Sequence, residues 1–273
     1  MRFFSLLKYR LLDRRIWSGV LFSLLVALMM SYTDLRVNLG GGFHYAVADY
    51  FVLSFARDMA MSLYILTAAS SVITDFSRDY HQNRLPFLLS RMSPRRYASS
   101  LVLRLMLQSY FVGIVLGLCF FGLLCLFFPL TSANYVTVFS NQWLLEEGYT
   151  LFFYLCLISL IGLYFAFFTL MGGVISVFYP NKLMVYLFPT MSWFFITQFR
   201  LERLLPFFAL PHAVLATDDF LRAGLDYFKV GMEEYRDLVA LFYPYIFMVV
   251  WGWLAIEVVR LALVKHWHFY DKE

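Results

Sequence analysis

The chain has 273 residues, of which 62% are hydrophobic, 21% aromatic and 15% charged. A soluble domain carries roughly 25% charge and about 45–50% apolar residues, so these proportions exclude an ordinary water-soluble globule and point to a membrane protein. The net charge of +4 is spread over the flanks of apolar runs and forms no separate basic stripe, which argues against nucleic acid as a partner.

The N-terminal segment 1–15, "MRFFSLLKYRLLDRR", is amphipathic. Phe3, Phe4, Leu6, Leu7 and Leu11 can share one helical face, with Lys8, Arg10, Arg14 and Arg15 toward phosphates. That suits a helix lying in the membrane interface; the same residues also read as the basic flank of the first span. No small-x-small cleavage site follows "LLVALMMSY", so the first apolar run is expected to be retained as a helix.

Each span needs about 20 apolar residues, and six can be drawn. They are expected over Ile16–Tyr32, Tyr50–Thr74, Ala98–Pro129, Tyr149–Phe178, Leu183–Phe199 and Leu238–Val264. The fold class is therefore an all-α polytopic membrane protein, one transmembrane domain over 1–273. Spans 1–2 occupy 16–74, a basic connecting segment 75–97, spans 3–5 98–199, an outer segment 200–237, span 6 238–264, and a tail 265–273. The fifth span is short and contains Pro189.

Lysine and arginine set the orientation. With the N-terminus inside, 15 of the 22 basic residues and only 6 of the 18 acidic ones fall on the inner side. Both termini are thus expected to be cytoplasmic in a multi-pass protein of the cell membrane. The outer segment, with "RLERLLPFFALPHAVLATDDFLRAGLDYF", is too charged to span and too apolar for a plain loop. Short or re-entrant helices broken at Pro206 and Pro211 are expected there, covered by protein.

Catalytic and ligand signatures are scarce. GxxxxGK[ST], HExxH and GxSxG do not occur. "LGGGFH" at Leu39–His44 reads as a turn, and Cys119, Cys125 and Cys156 read as small buried hydrophobes without metal-type spacing. "KHWHFYDKE" at the C-terminus holds His266 and His268 without a third ligand and reads as a basic aromatic interface anchor. "GIVLG" (Gly113–Gly117) and "MGG" allow close helix approach, within the chain in preference to a dimer seam.

Charges inside spans deserve a functional hypothesis, and Arg57, Asp58, Glu257 and Arg260 are the candidates. Glu257 and Arg260 are spaced to pair on one helix face. Arg57 and Asp58 are adjacent and point apart, so each needs its own partner or outer-surface water.

The segment "QNRLPFLLSRMSPRRYASS", Gln82–Ser100, is too basic for lipid and too apolar for a plain loop. Pro86 fits the first turn of a helix, and Asn83 before it can cap that helix or take a left-handed conformation. Pro94 ends it, and Ser93 with Pro94 starts the next. A helix of about two turns over Leu85–Met92 is expected, one apolar side lying on the membrane and the other left for another protein.

This segment resembles the coupling-helix region of type-2 ABC exporter permeases. Asp79, Leu85, Leu88, Leu89, Ser90, Arg95, Arg96 and Tyr97 fit that pattern, and "SRMSPRRY" fits best. Asn83 and Arg84 stand where the family has Gly-Thr, and Pro86 is less usual. "LLPFFALPHAVLA" also looks like the proline-bearing stretch those permeases carry before their last span.

The resemblance implies a non-enzymatic permease subunit of an exporter, and spans rich in Phe, Tyr and Met suit an amphipathic peptide, drug or lipid-like substrate. A second permease copy or a homologous permease would pair with it in the bilayer. A separate ABC ATPase subunit would bring ATP and Mg²⁺, this chain binding no cofactor itself. The docking residues implied are Asn83, Arg84, Leu85, Phe87, Leu88, Leu89, Arg91, Met92, Arg95 and Arg96.

Two other readings stand beside it. One is a scaffold or accessory membrane protein recruiting a soluble partner. The other is a membrane-embedded enzyme: "EEGYTL" and "FALPH" are similar to fragments of CAAX-type intramembrane proteases, although Leu151 replaces the arginine expected there.

Overall fold

The computed structural model describes residues 14–39, 45–55, 63–64, 66, 73–132, 142–198 and 236–266. Nearly all of the expected interfacial helix, Arg57, Asp58, much of the second span, the outer segment up to residue 235 and most of the tail lie outside the described residues.

The described residues are helical, with no strand among them. In chain order the helices are α1 (Arg14–Leu39), α2 (Val47–Phe55), α3 (Asp75–His81), α4 (Leu85–Arg91) and α5 (Pro94–Cys125). α6 (Gln142–Glu146), α7 (Thr150–Phe178), α8 (Lys182–Gln198) and α9 (Arg236–His266) follow. Among the described residues, three apolar helices are long enough to cross a membrane: α5, α7 and the Pro244–Lys265 part of α9. The apolar part of α1, Ile16–Tyr32, is shorter.

α5 and α7 form the centre of the bundle, and α9 packs on both. α8 lies on α7, and α1 packs on α5 and α2. The central contact depends on small residues. A Cβ placed on Gly113 of α5 would stand 2.7 Å from the Cα of Gly162 on α7, so the two backbones approach as closely as glycine alone allows. Gly173 is covered by Leu105, and Gly172 by Ile73 and the ring of Pro189. The small-residue patterns therefore serve contacts within the chain, as expected.

Hydroxyl groups join helices where apolar burial gives little net drive between helices in lipid. The Ser159 hydroxyl of α7 is 2.8 Å from the Tyr110 hydroxyl of α5 and accepts a 2.7 Å hydrogen bond from Tyr245 of α9. Ser31 of α1 bonds the hydroxyl of Ser54 on α2 and donates to the Ala27 carbonyl. Aromatic rings fill the space between: Phe51 packs on Phe120, Phe121 and Tyr154, and Phe55 stacks on Tyr64 with centroids 4.9 Å apart.

At the end where α5 closes, α2 begins three residues earlier than expected. Its start is held by the Asp49 carboxylate, which accepts from the Ala46 amide, and by a bond from the Val47 amide to the Pro129 carbonyl. α5 stops at Cys125, short of Pro129, and α9 extends beyond both expected ends of the sixth span. Cys156 is buried, but Cys119 and Cys125 are exposed on the outside of α5. An apolar side chain costs as little facing lipid as facing the interior, so apolar surroundings in sequence do not place a thiol inside.

Candidate functional site

The segment from Asp75 to Tyr97 folds as two short helices against the end of the bundle where α5 begins and α9 closes. α3 ends in a Schellman motif. Asn83 takes a left-handed conformation (φ 51°), its amide bonds the Tyr80 carbonyl, and the Arg84 amide bonds the Asp79 carbonyl. Asparagine is the side chain best tolerated there after glycine. Of the two roles open to Asn83, the left-handed one is realised, and Arg84 occupies the N-cap of α4.

α4 begins at Leu85 with Pro86 in its first turn. It closes at Arg91, and Met92 is extended, so the helix is one residue shorter than expected. Extended backbone at Ser93 is what the following proline favours. The Ser93 hydroxyl then accepts from the Arg96 amide at 3.4 Å and caps α5.

Residues two apart on a helix face about 200° from one another, and residues four apart face the same way. Leu85 and Leu89 are accordingly buried together, at 0% and 3% exposure, while Phe87 is 68% exposed on the opposite side. The buried pair shares a cluster with Phe76, Tyr97 and Leu101 and with Val259 and Leu263 of α9. Leu88 and Met92 are half-buried against the same cluster. This corrects the expected docking set: Leu85 and Leu89 seat α4 on its own bundle and present nothing to a partner. The surface that remains is Phe87 with Asn83, Arg84, Arg91, Arg95 and Arg96, all exposed.

The seat is fastened by polar contacts. The Asp75 carboxylate lies 3.5 Å from Arg104 of α5 and 4.0 Å from Arg78. Asp79 accepts from the Tyr97 hydroxyl at 3.1 Å. Ser77 and His81 of α3 both donate to the Pro180 carbonyl between α7 and α8, at 2.6 and 3.0 Å. Asp75, Ser77, His81 and Arg104 were not among the residues expected at the site. Their signal is visible in retrospect: Asp75 and Asp79 are one turn apart on α3, and Tyr97 and Arg104 are two turns apart on the facing side of α5.

Glu257 and Arg260 form the expected i,i+3 pair at 2.7 Å on α9. Glu257 also reaches Arg95 of α5 at 3.8 Å. The pair therefore belongs to the same end of the bundle as α4 and ties it to the last helix. Arg57 and Asp58 lie outside the described residues. A shallow cavity of about 620 Å³ opens beside this region, lined by His81, Tyr179, Pro180, Asn181 and Lys182.

Among the described residues no three His, Cys, Asp or Glu side chains converge. Glu146 and Glu147 of the protease-like fragment are exposed at the end of α6, and Phe208–His212 lies outside the described residues. No family model matches the chain, and no curated protein or solved structure matches it. The chemistry of the site thus rests on its own geometry: a short helix seated through Leu85 and Leu89, with Phe87 and the neighbouring arginines exposed.

Proposed function

We propose that this chain is the permease subunit of an ABC exporter, with six spans and both termini in the cytoplasm, and that a separate ATPase docks on α4. The observation that carries the reading is the way α4 is held. One face, Leu85 and Leu89, is locked into a cluster shared by α5 and α9, and the other face, with Phe87, is exposed. A push on the exposed face is then delivered to two apolar helices at once, which is what a subunit driven from outside requires.

The remaining features of the reading follow. The basic residues of the 75–104 region put this end of the bundle in the cytoplasm by the positive-inside rule. α1, the Tyr50–Thr74 run that begins in α2, and α8 would supply the spans beyond the three long helices; the 17 residues of α8 reach about 26 Å, close to the hydrocarbon thickness. ATP and Mg²⁺ belong to the partner, and a second permease completes the path for an amphipathic substrate.

The test is purification of the intact chain from its own membranes in mild detergent. A stoichiometric Walker-motif ATPase is expected with it, and its hydrolysis is expected to be stimulated by a transported compound. A partner without nucleotide-binding motifs would instead make the chain a scaffold that recruits a soluble protein.

A further inference from the structure

Among the described residues, α4 and its flanks leave more positive charge exposed than carboxylates neutralise. Arg84, Arg91, Arg95 and Arg96 are all exposed within one short stretch. Arg95 has Glu257 at 3.8 Å. The nearby acids Asp75 and Asp79 are engaged by Arg104, Arg78 and Tyr97. Among the described residues, Arg84, Arg91 and Arg96 have no carboxylate within 4.0 Å. Phe87 in the same stretch is 68% exposed, with the Arg91 guanidinium 5.9 Å from its ring centroid.

From this we infer that the partner of α4 is a soluble protein presenting an apolar pocket rimmed by carboxylates. The inference rests on the reading of α4 as a docking helix and adds the chemistry of what docks. An exposed aromatic ring with a guanidinium over it, in a stretch of exposed arginines, is the composition of an interface hot spot, and it is complemented by a pocket with acids at its edge. Arginine suits that rim because its planar fork bonds carboxylates bidentately. The division of labour is also defined. Arg84, Arg91 and Arg96 serve the partner, whereas Arg95 serves the link to α9. Lipid is the poorer complement. Phe87 lies on the face opposite Leu85 and Leu89, so it faces away from the helices that cross the bilayer.

The experiment places the photo-crosslinker p-benzoylphenylalanine at position 87 of the intact chain in its own cells and identifies the attached peptide by mass spectrometry. The expected product is a peptide of a soluble protein bearing several Asp or Glu side chains. Its yield is expected to fall about tenfold in the Arg84→Glu/Arg91→Glu/Arg96→Glu variant and to fall much less in Arg95→Glu. The triple Gln variant, which removes the charge without reversing it, is expected to lie between wild type and the Glu variant. Cross-linking to lipid or to a second copy of this chain overturns the inference. So does a peptide without acids, a yield indifferent to the reversals, or no product at all. The two readings separate cleanly. An acidic peptide from a protein without nucleotide-binding motifs upholds this inference and refutes the ABC exporter. A Walker-motif ATPase captured regardless of the arginines does the opposite.

Discussion

Arg95, in the first turn of α5, lies 3.8 Å from Glu257 near the end of α9, and Glu257 is held in turn by Arg260 at 2.7 Å. The contact joins the helix that follows α4 to the last helix of the chain. The Arg95 side chain is 72% exposed, so the link is screened by water. A double-mutant cycle of Arg95→Ala and Glu257→Gln, read by thermal unfolding in detergent, is expected to give a coupling of about 0.2–1 kcal/mol. A coupling above about 2 kcal/mol would mean that the contact is a buried structural lock.

The close approach of α5 and α7 predicts a sharp position dependence for glycine. Gly113→Ala drives a methyl group to 2.7 Å from the Gly162 backbone, and a cost of about 1–3 kcal/mol is expected. Gly122, on the same helix, has nothing within 4 Å of an added Cβ. Gly122→Ala is expected to be neutral or to stabilise by up to about 1 kcal/mol. Comparing the two melting temperatures checks the packing of α5 on α7.

Asn83 tests the turn between α3 and α4. Its φ of 51° suits glycine at least as well, so Asn83→Gly is expected to leave stability within about 0.5 kcal/mol of wild type. Asn83→Val forces a branched side chain into a left-handed conformation and is expected to cost about 1–2 kcal/mol. Equal melting temperatures for the two variants would show that the turn is not left-handed.

Ser159 joins three helices through the hydroxyls of Tyr110 and Tyr245. Hydrogen bonds between helices in lipid average about 0.6 kcal/mol each, so Ser159→Ala is expected to lower stability by about 1 kcal/mol. Unfolding in SDS titrations measures it, and a Tyr110→Phe/Tyr245→Phe variant is expected to lose a comparable amount.

The parts of the fold legible in the sequence were those that a one-dimensional pattern can encode. Apolar runs marked the starts of the long helices to within four residues, although α1 runs on to Leu39, past the expected Tyr32, and Ser93 with Pro94 marked the start of α5 because capping is local chemistry. Pro86 and Asn83 framed α4 for the same reason. The side of α4 facing the bundle was not legible. Leu85, Phe87, Leu88 and Leu89 are all apolar, so composition could not tell the seat from the surface; the phase of α4 relative to α5 decided it. Asp75 and Arg104 were missed because their pairing depends on where α3, packed on α7, sets its carboxylates beside the start of α5. Cys119 and Cys125 were misplaced because in a membrane both faces of a helix tolerate apolar side chains.

The two faces of α4 give the most direct measurement. Leu89 is 3% exposed and holds the helix to its own chain, and Phe87 is 68% exposed. The intact chain carrying Phe87→Asp, purified from its own membranes, is expected to keep its melting temperature within about 1–2 °C of wild type, as a surface substitution does. It is also expected to lose its co-purifying ATPase. Leu89→Asp, which buries a carboxylate in an apolar cluster, is expected to lower the melting temperature strongly whether or not a partner is present. Retention of the ATPase at wild-type stoichiometry by the stable Phe87→Asp chain would contradict the claim that α4 is where another protein's ATP hydrolysis enters this one.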